Sequence, residues 1–137
     1  MDSIVTPLRQ LLYVSSSNPS GAKIDVPTVV EQSRHNNALD GVTGLLWSDG
    51  KRFLQVLEGA ADSVMTTFAR IRADPRHHAI VVLHERNIEA REFGNWTMVQ
   101  RRPGDDPDAL DRKMRRLLEG ASQTVRGNFL GLIAARP

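Results

Sequence analysis

Three polar side chains fall where the surrounding pattern is apolar. Tyr13, the only tyrosine in the chain, shares a strand-like face with Leu11 and Ser15. Gln55 lies between Phe53 and Leu57 at the two-residue spacing of one strand face. Asn37 closes a stripe of Val26, Val29, Val30 and Ser33, which recurs at the spacing of one helix face. A buried phenol or amide without a partner costs about 1–3 kcal/mol, so each of these groups needs one. Taken singly, each suits a hydrogen bond to local backbone. Taken together, on one helix and the strands beside it, they point to a polar ligand at a sheet–helix interface.

The side-chain types narrow that ligand. Asparagine and glutamine donate and accept at once, which matches a flat, largely apolar ring with alternating donors and acceptors along its edge. An isoalloxazine ring, the head of a flavin, has that character. Arg70, Asp74 and His77 sit where a second helix ends, in reach of the same cleft. By pattern alone they suit a solvated helix terminus, where the dipole favours arginine. Other chemistries lack their spacing. His77 and His78 are adjacent while His35 and His84 are remote, so no metal pair at i, i+4 exists. No GxSxG, Walker or GxGxxG pattern occurs. Arg112, Lys113, Arg115 and Arg116 form a charged helix face of the usual solvated kind.

The elements that must position these residues can be traced along the chain. Leu11 to Ser15 predicts a short strand, ended by Ser17, Asn18, Pro19, Ser20 and Gly21. Asp25 caps a helix that tolerates Pro27 in its first turn and stops at Gly41. Strands from Thr43 to Trp47 and Arg52 to Leu57 are joined through Asp49 and Gly50, a hairpin signal, and Glu58 and Gly59 end the second. A helix from about Ala60 to Ala73 is stopped by Pro75. Ile80 to Leu83 and Phe93 to Val99 predict two further strands. Asp106 and Pro107 then open a helix with Leu110, Met114, Leu117 and Leu118 along one side, and a last helix is expected from about Ser122 to Ala134. This order is an α+β, ferredoxin-like βαββαββ sheet, with two helices on one face and C-terminal helices on the other. Residues 1–100 would form the ligand-binding core and residues 101–137 a helical extension of the same domain.

Bulk properties agree with one globular domain of 137 residues. No apolar run approaches the roughly 20 residues needed to span a bilayer. The N-terminus, interrupted by Asp2 and Pro7, does not resemble a secretory signal. With no cysteine, disulfides and thiolate-bound metals are excluded, and a cytoplasmic location is expected. The isoelectric point is high, yet the net charge is only +2, which argues against a nucleic-acid partner.

Five segments together resemble the BLUF family, the blue-light sensors that use flavin, in its short single-domain form. They are LLYVSSS at 11–17, SRHNNALDGVTGLL at 33–46, RFLQVLEG at 52–59, RIRADPRH at 70–77 and REFGNWTM at 91–98, in the family's order and spacing. The resemblance implies a flavin cofactor, FAD before FMN, and no enzymatic turnover. It implies that Tyr13 is the photoactive tyrosine that gives an electron and a proton to the excited flavin. It also implies that Gln55 is the glutamine whose amide rearranges. Asn37 would hydrogen-bond the isoalloxazine edge beside Asn36, and Arg70, Asp74 and His77 would border the flavin. Trp96 and Met98 would relay the signal. The tail beyond Gln100 carries no family motif and is too short for a fused effector, so output is expected through a protein partner or a change of oligomeric state, with a homo-oligomer expected. The rival readings are a light-independent, ferredoxin-like ligand-binding or protein-interaction module, an acylphosphatase-like enzyme and a nucleic-acid binder. The enzyme would need an arginine in the loop from Ser15 to Gly21, where none occurs.

Overall fold

Five strands form one sheet: β1 (Leu8–Ser17), β2 (Thr43–Ser48), β3 (Arg52–Ala60), β4 (His77–Ile88) and β5 (Trp96–Gln100). The computed structural model describes residues 7–17, 41–75, 77–102 and 104–134. The helix expected between Asp25 and Gly41, with Asn36 and Asn37, lies outside the described residues apart from Gly41. The spatial order is β4-β1-β3-β2-β5. All pairings are antiparallel except that of β2 with β5. This is the ferredoxin-like arrangement with a fifth strand added at one edge.

Alternation along β1 and β3 separates two cores. Leu11, Tyr13 and Leu57 face α1 (Ala61–Ala73), packing with Val64 and Phe68. Leu12, Leu54 and Val56 face the other way, against α2 (Pro107–Leu117) and α3 (Gln123–Ala134), where Met114, Val125 and Phe129 meet them. The C-terminal helices therefore cover the face opposite Tyr13. Asp106 caps α2 as its sequence foretells, accepting the Asp108 backbone N–H at 3.0 Å, and Pro107 follows in the first turn. The β2–β3 turn holds Gly50 at φ 88°, while Asp49 accepts the backbone N–H groups of Lys51 and Arg52.

Several boundaries differ from the sequence expectation. β1 begins at Leu8 and β4 runs from His77 to Ile88, because β1 lies between β3 and β4 and each ladder extends the other. β3 continues through Glu58 and Gly59 to Ala60. Glu58 stays in the ladder because its buried carboxylate is fully hydrogen-bonded. β5 starts at Trp96, and Phe93 instead anchors the preceding loop in the core under the C-terminal helices. Gly44 in the TGLL segment sits at φ 157°, and a Cβ there would meet the Val56 carbonyl oxygen at 1.9 Å. Only glycine allows that approach of β2 to β3.

Candidate functional site

Antiparallel register places Tyr13 of β1 opposite Gln55 of β3, and Gln55 opposite Leu46 of β2. Leu46 in turn pairs with Met98 of β5. These four residues form one row across the sheet, and direct partners share a face. Trp96 lies in the next row, beside Gly44, which pairs with Leu57. Met98 and Trp96 therefore both belong to the face that carries Gln55, with Met98 two strands from it in the same row.

The Tyr13 hydroxyl donates to Gln55 Oε1. Both side chains are buried, at 1% and 3% exposure. Burial pushes the Tyr13 phenol far above its ordinary range, so it stays protonated and acts as the donor. A carbonyl oxygen can only accept, so this bond turns Gln55 Nε2 away from the tyrosine. No acceptor for Nε2 is found among the described residues. The Phe68 ring of α1 packs against Tyr13 with centroids 5.4 Å apart and tilted by 49°. The site face thus pairs a phenol and an amide with apolar walls.

A second polar group borders the same face. Ser15 Oγ and His77 Nδ1 lie 3.0 Å apart, and the imidazole meets the edge of Phe53 at 5.0 Å. Ser15 and Phe53 are cross-strand partners one step of alternation beyond Tyr13 and Gln55. Asp74 ends α1, and its carbonyl accepts the His77 backbone N–H at 3.1 Å, which brings Asp74 and His77 together. Arg70 is exposed on the last turn of α1. Asn36 and Asn37 lie outside the described residues.

Sequence reasoning missed a larger polar cluster on the other face: Gln10, Glu58, Arg86 and Glu92. The signal was available. Gln10 is in phase with Leu12 and Val14, and Glu58 with Leu54 and Val56, the same polar-among-apolar pattern that singles out Gln55.

Comparison with known proteins bears on the chain that carries this face. The family model described as "BLUF: Sensors of blue-light using FAD" matches residues 8–99. The photoactivated adenylate cyclase subunit alpha of Euglena gracilis is 34% identical over 95 residues, 68% of this chain and 9% of that protein. Subunit beta from the same organism is 31% identical over 94 residues, 68% of this chain and 11% of that protein. The chain spans about a tenth of the length of these curated relatives. Among solved structures, the BLUF protein BlrB in its dark state aligns at 28% identity with TM-score 0.69, covering 97% of this chain and 100% of that one. Klebsiella pneumoniae BlrP1, in a calcium and cyclic di-GMP complex, aligns at 26% identity with TM-score 0.77, covering 93% of this chain and 34% of that one. The donor set fits the ring such proteins use: a flat apolar surface, and an amide N–H that a ring carbonyl or nitrogen would complete.

Proposed function

Because this chain belongs to the BLUF family, the sensors of blue light using FAD, we propose that it reports illumination through the hydrogen bond between Tyr13 and Gln55. Residues 8–99 are a flavin-binding, blue-light-sensing domain. The observation that supports the mechanism is the buried phenol donating to Gln55 Oε1, which directs the N–H end of the amide away from the tyrosine.

Bound flavin supplies absorption of blue light and, once excited, a strong oxidising power. Tyr13 answers with an electron and the hydroxyl proton, and takes both back. Its burial disfavours a free phenolate, so the proton does not leave ahead of the electron. While the phenol no longer donates, nothing holds Gln55 Oε1 toward it. Turning the amide over offers Nε2 to Tyr13 and Oε1 to the other side, which changes the hydrogen bonds seen along the ligand edge. Asn36, Asn37, Arg70, Asp74 and His77 complete the pocket, with Asn37 on the ring edge. Met98 and Trp96, on the same face as Gln55, take up the new pattern. The cofactor is a flavin, FAD before FMN, a choice supported by the family description, sensors of blue light using FAD.

Residues 1–100 act as the sensor core and 101–137 as its helical extension. The protein performs no turnover. Its signal passes to a protein partner or through a change of oligomeric state, in the cytoplasm. No helix among the described residues is long and apolar enough to cross a membrane.

The deciding experiment is an absorption spectrum in darkness, after blue light and after dark recovery. Flavin bands that shift red and return are expected. Tyr13→Phe is expected to keep the flavin and lose the shift; a normal shift in that variant removes the tyrosine from the mechanism. Asn37→Ala is expected to lower flavin content, and unchanged content displaces the ring from that residue. A protein that stays colourless after reconstitution with FAD and FMN favours the light-independent binding module.

A further inference from the structure

Gln10 and Glu58 are the cross-strand pair three residues from Tyr13 and Gln55 on the same two strands. An odd separation turns side chains to opposite faces, so this second pair lies on the side of the C-terminal helices. Gln10 Nε2 donates to Glu58 Oε2 at 2.7 Å and to Glu92 Oε2 at 2.5 Å. Gln10 Oε1 accepts from Arg86 Nε at 3.0 Å, and Arg86 Nη2 donates to Glu92 Oε1 at 2.9 Å.

The two carboxylates extend the cluster to the loop before β5 and to the start of α3. Glu58 Oε1 accepts the backbone N–H groups of Glu92 at 2.9 Å and Phe93 at 2.8 Å, which fixes the loop that leads into β5. Glu92 Oε1 accepts the backbone N–H of Ser122 at 2.8 Å, the residue before α3. Arg91 ties the same loop to the Glu58 carbonyl and to Thr43 Oγ1.

The two ends of the Gln10 amide face groups of opposite character, carboxyl oxygens on one side and a guanidinium on the other. Reversing it would set its oxygen against two carboxylates and its N–H groups against a guanidinium. Gln10 and Glu58 are fully buried, which holds their hydrogen bonds away from bulk solvent. A relative displacement of β1 and β3 is therefore not absorbed by rotation of this amide. It moves the Glu92 carboxylate, and with it the loop before β5 and the Ser122 amide.

We infer that the Gln10–Glu58–Glu92–Arg86 cluster is the positioning link that carries a change at the Tyr13–Gln55 pair to the loop before β5 and to the start of α3. Glu92 is the residue where those two outputs meet. The inference rests on the photoreceptor reading above, and it adds a route through the sheet to the opposite face.

The test is amide hydrogen exchange in darkness and under blue light, read at Ser122–Phe129, with the absorption spectrum taken on the same flavin-loaded samples. The native protein is expected to exchange faster at Ser122 in the light. Glu92→Gln, which keeps the shape and removes the charge, is expected to retain the spectral shift and lose most of that light–dark difference, several-fold or more. Arg86→Lys serves the same purpose through the partner side chain, should Glu92→Gln not fold. Phe129→Leu loosens the same helices without touching the cluster and is expected to keep the difference. A full difference in a folded cluster variant overturns the link, as does an equal loss in Phe129→Leu. A native protein that shifts its spectrum without any exchange difference also overturns the link while leaving the photoreceptor reading intact. Absence of a spectral shift in the native protein fails that reading itself.

Discussion

Two glutamines ride on the same pair of strands and face opposite ways. Gln55 on β3 meets the Tyr13 hydroxyl, a group that can donate or accept. Gln10 on β1 meets two carboxylates and a guanidinium, which can each do only one of these. Both amides are buried, so burial does not distinguish them; the chemistry of the partner does. An amide opposite a hydroxyl has two acceptable orientations once the hydroxyl proton moves. An amide between carboxylates and a guanidinium has one. In the proposed mechanism the same residue type is the part that turns on one face and the part that holds on the other.

The contrast can be broken by removing either amide. Gln55→Leu is expected to abolish the light-induced red shift entirely while flavin remains bound, read by difference absorption; a surviving shift would disprove the amide switch. Gln10→Leu is expected to leave that shift in place and to cost about 3 kcal/mol in denaturant unfolding, since two carboxylates and an arginine lose a buried partner. A cost below about 0.5 kcal/mol, the scale of an ordinary surface change, would mean the cluster holds nothing.

Smaller effects sharpen the picture through pH. Burial raises the Glu58 carboxyl above its ordinary value of 4.5, with the nearby Glu92 charge adding to this, against opposing backbone and Gln10 hydrogen bonds. The folded state then binds the Glu58 proton more tightly than the unfolded chain. Its contribution to stability is full below the ordinary value and is lost as pH rises through the folded one. Unfolding midpoints against pH should show this decline, and Glu58→Gln should remove it; an unchanged slope would place the titration elsewhere. For Tyr13 the expected effect is none. Its phenol is raised by burial, so the amplitude of the spectral shift should hold as pH approaches about 10, the ordinary tyrosine value. A loss of amplitude there would show that the phenol ionises in place.

Much of this was legible in residue order because it depends on local period. Tyr13 and Gln55 stand out as polar types in apolar phase, and that phase survives whatever the strands pair with. The Asp49-Gly50 turn and the Asp106-Pro107 helix start were legible for the same reason, since each satisfies its backbone within a few residues. The ends of β3 and β4 were not. Glu58 and Gly59 carry the local signature of a strand end, yet pairing with β1 and the hydrogen bonds of Glu58 keep them in the ladder.

The sequence by itself determined the order of the described elements, the two faces of β1 and β3, and the polar character of Tyr13 and Gln55 on one of them, because side-chain alternation and turn chemistry are short-range. Only the tertiary structure decided which residues lie opposite one another. It set Tyr13 against Gln55, put Met98 in their row through the parallel pairing of β2 with β5, and gathered Gln10, Glu58, Arg86 and Glu92 beneath Ser122. Those relations follow from register between segments far apart in the chain, and no local period encodes register.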